Sequence, residues 1–208
     1  MQIVPYPHPA LRWKSREITR IDDTLRTVVA RMFELMYESK GIGLAANQVG
    51  LPLRLFVVNV SGDPEKKDEE VVFINPVIRN RSGNAVGEEG CLSLPGLYAD
   101  VARPETITVE AFDLDGQPFR IKTDDLPARV IQHETDHLDG VLFIDRIDET
   151  SLATFVTKLN EWSSDFRKQQ TEGATPSDEE INRLLQQMAE SGDLAPVLGQ
   201  TVDAPEGK

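Results

Sequence analysis

"DDLPARVIQHETDHLDG", Asp124 to Gly140, decides how the rest of the chain is read. The stretch reads as one helix. Asp124 or Asp125 can cap its start, Pro127 suits a first turn, and Gly140 suits a C-terminal stop. His133 and His137 are four residues apart, so both imidazoles leave one face of the helix and can reach one ion. Glu134 can lean toward the open side of such an ion and take a proton from water there. By itself the HExxH pattern is only moderately specific, because His and Glu are ordinary residues of exposed helices. A third ligand must come from elsewhere, and no histidine follows His137.

The only cysteine, Cys91, lies in "GEEGCLSLPG", Gly87 to Gly96. A lone thiol is more often a small buried hydrophobe than a ligand. Here it sits between Gly90 and a Leu-Ser-Leu-Pro stretch, which suits a sharply shaped backbone better than a plain core strand.

The chain has 208 residues, which suits one domain with an appendage. Its hydrophobic fraction of 39% is ordinary for a globular protein with a sizeable core. A net charge of −13 argues against a general nucleic-acid or anionic-membrane binder. One cysteine allows no intramolecular disulfide, and "MQIVPYPHPA" has no apolar signal core. The expectation is a soluble protein of a reducing, cytosol-like compartment, with no membrane span.

Pro5, Pro7 and Pro9 keep the start extended. In "IDDTLRTVVARMFELMYESKG", Leu25, Val28, Val29, Met32, Phe33 and Met36 share one helical face, Asp22 or Asp23 caps, and Gly41 ends the helix. "LRLFVVNV" and "VVFINPVI" read as buried strands, and "TITVEAFDLDGQPFRIKT" as a hairpin turning at Asp115-Gly116. Leu152, Phe155, Val156, Leu159, Trp162 and Phe166 form one helical stripe that needs a partner surface. Ser177 and Glu180 have capping-box spacing ahead of Ile181, Leu184, Leu185 and Met188.

Three separated stretches resemble the three signature motifs of the peptide deformylase family: "GIGLAANQ" (Gly41 to Gln48), "EGCLS" (Glu89 to Ser93) and "QHETDH" (Gln132 to His137). Their order and spacing fit as well. The resemblance spans roughly residues 1 to 148, includes "IVPYPHPALR" near the start, and with "PGLYADV" is similar to the group shared by bacteria and plant organelles. It implies an α+β fold with antiparallel sheets around a central HExxH helix, and the apolar stripe and charge pattern beyond it add a C-terminal helix and an acidic tail. The expected division is a catalytic domain over 1–150, a packed helix over 151–170, and an acidic, mobile extension with a short helix over 171–208.

The resemblance also implies that Cys91, His133 and His137 hold one divalent metal with a fourth position open. That metal is Fe(2+) in the cell, with Zn(2+), Ni(2+) or Co(2+) able to substitute. The implied reaction is removal of the N-formyl group from the formylmethionine of nascent polypeptides, with release of formate. Glu134 would be the general base. The Gln48 side chain and the Leu92 backbone N–H would stabilise the developing oxyanion. Backbone near Ile42, Gly43 and Gly90 would pair with an extended peptide, and Ile42, Leu126, Val130 and the stem of Arg129 would line a methionine pocket. Glu89 and Arg103 would pair to support the cysteine loop. Tyr98 stands where many bacterial members carry an arginine, so a contact to the peptide's downstream part is not carried over. Asp136 is a non-ligand that holds a neighbour in place, and His8 is read as structural.

Two other readings compete. A deformylase-like protein that only binds would not require Glu134 and Gln48. A zincin-type endopeptidase would leave Cys91 unexplained. Transient ribosome association follows from the implied substrate, not from charge: residues 151–170 carry Lys158, Arg167 and Lys168 against Glu161 and Asp165, a net of +1. Residues 171–208 carry Arg183 and Lys208 against eight acids, a net of −6, and read as solvated.

Overall fold

The structure, a computed structural model, describes residues 1–198; the end of the acidic tail lies outside the described residues. The first helix, α1 (Asp23–Glu38), starts where Asp22 accepts the Leu25 N–H at 3.0 Å. Its apolar stripe is buried as the spacing predicts. Its end differs from the expectation. Lys40, not Gly41, takes the left-handed turn (φ 57), and the Gly41 N–H reaches back to the Met36 carbonyl at 2.8 Å. Gly41 is needed for space instead, since a Cβ there would lie 2.8 Å from the Leu92 side chain.

Strands β1 (Gly43–Ala45), β2 (Leu55–Val58) and β3 (Val71–Ser82) follow. Next come β4 (Ala85–Cys91) and β5 (Leu94–Arg103), then β6 (Thr106–Phe112) and β7 (Pro118–Thr123). β1, β2, β3, β6 and β7 form one antiparallel sheet in the order β1-β2-β3-β6-β7, and β4 pairs with β5 as a separate hairpin. The β6–β7 turn is the one read from Asp115-Gly116. Gly116 has φ +74, and the Asp113 carboxylate accepts the N–H groups of Asp115 and Gln117. The β4–β5 hairpin has no clear sequence signal, because Gly87, Gly90 and two adjacent glutamates break the alternation expected of a strand.

β2 explains why a short run of four apolar residues is buried throughout. Leu55 and Val57 join the core with α1, while Phe56 and Val58 join a second core on the opposite face. The second core holds Ala128, Val130, Ile131 and Leu138 of α2 (Asp125–Leu138), the HExxH helix, together with Phe73, Ile107 and Val109 of the sheet. The sheet therefore separates α1 from α2, which is the α+β arrangement expected.

α3 (Glu149–Thr171) packs beneath the β4–β5 hairpin. Leu152, Phe155, Leu159 and Trp162 meet Leu94, Leu97, Val101 and Phe143 there. Val156, expected on that stripe, is 46% exposed. Leu152, Phe155, Leu159, Trp162 and Phe166 advance in steps of three and four, and a residue one step past Phe155 turns off the seam. α4 (Asp178–Ser191) is capped by the reciprocal Ser177–Glu180 pair. It corrects the expectation of a mobile appendage. Ile181, Leu185 and Met188 are buried in the α1 core, as are Leu194 and Val197 at α5 (Ala195–Leu198). The local net charge predicted solvation, but α4 needs only its one apolar face to dock.

Candidate metal centre

His133 and His137 leave α2 one turn apart, with ring centroids 5.0 Å apart at 74°. Cys91 ends β4 at a break in the ladder, where the register shifts between Gly90 and Cys91. The shift brings the thiol over α2. Its Sγ lies 3.4 Å from His137 Nε2. One donor atom from each of Cys91, His133 and His137 lies within 4.8 Å of the other two. One sulfur and two imidazole nitrogens suit Zn, Fe, Ni or Co, and three protein donors leave a position open for chemistry.

The two imidazoles differ in proton affinity. For His133, burial opposes protonation, but Cys91, Glu89 and the Glu134 charge outweigh it and raise the pKa to about 10. For His137, burial and then the His133 charge push the pKa well below the usual value.

Glu134 is 4% exposed, and its Oε2 has no hydrogen-bond partner among the described residues. Burial raises its pKa to about 7, against the lowering effect of the His133 charge. Gly43 makes room for it, since a Cβ there would sit 2.6 Å from Glu134 Oε1. Gln48 is fixed by its carbonyl end. Oε1 accepts the Ala45 N–H at 2.8 Å, so Nε2 is the end that faces the site, 3.4 Å from Cys91 Sγ.

A cavity of about 550 Å3 opens beside these groups. Ile42, Gly43, Gly90, Leu126, Arg129 and Val130 all line it, as do Leu92, Gln48 and Glu134. Leu126 stands at the rim, 48% exposed. β1 is the edge strand of its sheet on one side of this cavity, and the end of the β4–β5 hairpin forms the other side. Tyr98 lies across from Gly90, where a Cβ would meet its ring at 2.5 Å.

Beneath the site is a buried charge network. Glu89 accepts from Arg103 Nε and Nη2 at 2.6 and 2.7 Å, and its Oε2 lies 2.9 Å from His133 Nδ1. That contact orients the imidazole so that its other nitrogen is free for a ligand. Burial would raise the Glu89 pKa, but Arg103 and His133 hold it down at about 2. Arg103 also donates to Asp136 at 2.7 Å, and Asp136 pairs with Arg146. Glu89 and Arg103 thus form a two-point buried ion pair. The roles of Arg146 and of the Arg129 head have no sequence signal beyond the charge of the residue.

The protein-family profile of polypeptide deformylases matches residues 1–153. A peptide deformylase of Rhodopirellula baltica is 45% identical over 190 residues, covering 91% of this chain and 92% of that one. The chloroplastic/mitochondrial peptide deformylase 1B of Arabidopsis thaliana is 40% identical, covering 92% of this chain and 69% of that one. A Plasmodium falciparum peptide deformylase crystal structure superposes with a TM-score of 0.78 at 41% identity, covering 85% of this chain and 99% of that one. The first of these similarities spans more residues than the family profile and runs into the C-terminal helices. The chain belongs to the polypeptide deformylase family.

Proposed function

We propose that this protein removes the N-formyl group from the N-terminal formylmethionine of newly made polypeptides, with release of formate. The observation that carries this reading is the convergence of the Cys91, His133 and His137 donor atoms beside the buried, unpartnered Glu134 carboxylate oxygen.

A divalent ion held by these three residues, Fe(2+) by family resemblance, supplies a Lewis acid that brings the pKa of water toward neutral. Glu134 takes the proton of the water that attacks the formyl carbon, then passes it to the departing amine. The Gln48 amide, anchored through Ala45, and the Leu92 N–H donate to the oxygen where negative charge builds up. One such donor is typically worth about 3–4 kcal/mol in the transition state. The substrate's methionine enters between Ile42, Leu126 and Val130, and its backbone runs along β1 and Gly90 as an added strand. Reading backbone more than side chains suits an enzyme acting on many nascent chains. Ribosome association is proposed as transient, and the bacterial cytoplasm as the place of action. Among the described residues no helix is long and apolar enough to cross a membrane.

Mass spectrometry of a formyl-Met peptide that also contains ordinary internal bonds tests the reading. Loss of formyl alone is the expected result. Cleavage of internal bonds would favour an endopeptidase, and an intact peptide beside bound metal would favour a protein that only binds.

A further inference from the structure

The resemblance assigns the stem of Arg129 to the methionine pocket, and Arg129 does line the cavity. Its head does something else. The guanidinium turns into the β4–β5 hairpin, where Nη1 donates to Glu89 Oε1 at 2.7 Å and to the Val101 carbonyl at 2.9 Å. The same nitrogen lies 3.3 Å from the Gly87 carbonyl, and Nη2 donates to the Ala85 carbonyl at 2.9 Å. These acceptors lie on both strands of the hairpin, whose last β4 residue is Cys91.

Gly87 accommodates the plane of the group. A Cβ at this position would meet Arg129 Nη2, Cζ and Nε at 3.1 to 3.3 Å. The side chain of Arg129 is only 14% exposed. Arg129 precedes His133 by one helical turn on the same face of α2. One rigid fork therefore links the helix that carries two of the donors to the hairpin that carries the third. It also touches the same Glu89 that orients His133.

We infer that Arg129 is a positioning residue that sets the separation of the β4–β5 hairpin from α2, and so the fit of Cys91, His133 and His137 to their ion. The guanidinium fork is required. A lysine ammonium is a point charge that cannot span carbonyls on both strands and a carboxylate at once. The inference rests on the metal reading above but not on the deformylation reading.

The test uses the full chain, stripped of metal and titrated with Co(2+). Affinity is measured by chelator competition, and the thiolate-to-cobalt charge-transfer band reports whether Cys91 is a ligand. Arg129→Met and Arg129→Lys are both expected to weaken Co(2+) binding by about 10- to 100-fold and to diminish or shift that band. Gly87→Val, which crowds the guanidinium from the other side, is expected to do the same in a chain that keeps Arg129. It also serves if the arginine variants fail to fold. Added to Arg129→Met, it is expected to weaken binding little further. Unchanged affinity and spectrum in Arg129→Lys and Gly87→Val, with only a raised KM for a formyl-Met peptide, would overturn the inference and return Arg129 to the pocket lining. A wild-type chain that binds Co(2+) without a thiolate band would sink the three-ligand reading and this inference with it. Cobalt binding without formate release would leave the inference standing and remove the deformylation reading.

Discussion

The seam between the β4–β5 hairpin and α2 and the cover that α4 lays over the turn Pro9–Arg12 and the core shared with α1 are both buried, yet they are held by opposite means. At the seam, Glu89, Arg103, Asp136 and Arg129 meet through charged hydrogen bonds, with Glu89 and Arg103 each nearly inaccessible. At the cover, Ile181, Leu185 and Met188 join Leu25, Val28 and Met32 in one apolar cluster. Apolar burial is non-directional and stabilises in proportion to area. A buried ion-pair network adds little net stability over an apolar substitute, but it fixes orientation. The molecule places the directional contacts where three donor atoms must converge, and the non-directional ones where a helix need only be held down.

Removing one partner from each region separates the two. Arg103→Met removes the buried cation that Glu89 and Asp136 share, leaving Glu89 to Arg129 and Asp136 to Arg146, and should cost no more than about 3–5 kcal/mol in unfolding free energy. It should also weaken metal binding, since Glu89 would orient His133 less well; denaturant titration beside chelator competition reads both. Leu185→Ala should cost about 2–5 kcal/mol and leave metal affinity and kcat unchanged. A loss of metal in Leu185→Ala would show that the cover acts on the site and would blur the distinction.

His8 is a titratable group at the cover. His8 is packed edge-on against Phe166 of α3 and faces Asp178 at the start of α4, and its Nδ1 accepts the Ala10 N–H. Burial lowers its pKa to about 4, against the raising effect of Asp178. The folded protein therefore holds His8 neutral while the unfolded chain protonates near 6.5. Stability from this group is complete above about pH 6.5 and declines as the pH falls toward 4, by about 2–3 kcal/mol. Urea midpoints from pH 7 to 4 should show a steeper decline in the wild type than in His8→Asn. Equal slopes would remove His8 from the account.

The smallest effect belongs to neither region. Arg26 and Asp115 pair at 3.2 Å with both side chains exposed, and Arg26→Ala should change stability by under about 1 kcal/mol. A larger loss would mean that exposed pairs count here as much as the buried network, contrary to the comparison.

The two regions were also unequally legible. HExxH spacing alone puts two imidazoles on one helical face, but Cys91 is legible as a third donor only through the resemblance, because a lone thiol reads first as a small buried hydrophobe. Gln48 was legible only through the resemblance, because a single amide after a glycine-rich stretch carries no pattern of its own. The Arg129 head was not legible, since its destination depends on a hairpin 28 to 44 residues away in sequence. The hairpin itself was hidden by the glycines that admit the guanidinium and the Tyr98 ring. At the cover, the capping box and stripe of α4 were readable, but docking was not, because the stripe does not name its partner. Lys40 in place of Gly41 at the left-handed turn shows the same limit: the glycine was conspicuous, but it serves a close approach instead of a dihedral angle.

The central claim is that Glu134 moves the proton for a reaction at the site formed by Cys91, His133 and His137. The most direct measurement is formate release from formyl-Met-Ala-Ser by the chain loaded anaerobically with Fe(2+), alongside Glu134→Gln at matched metal content. The account predicts turnover by the wild type and a loss of about 10²- to 10⁴-fold in the variant, with the metal still bound. Equal turnover by both proteins, or none from a fully loaded wild type, would contradict it.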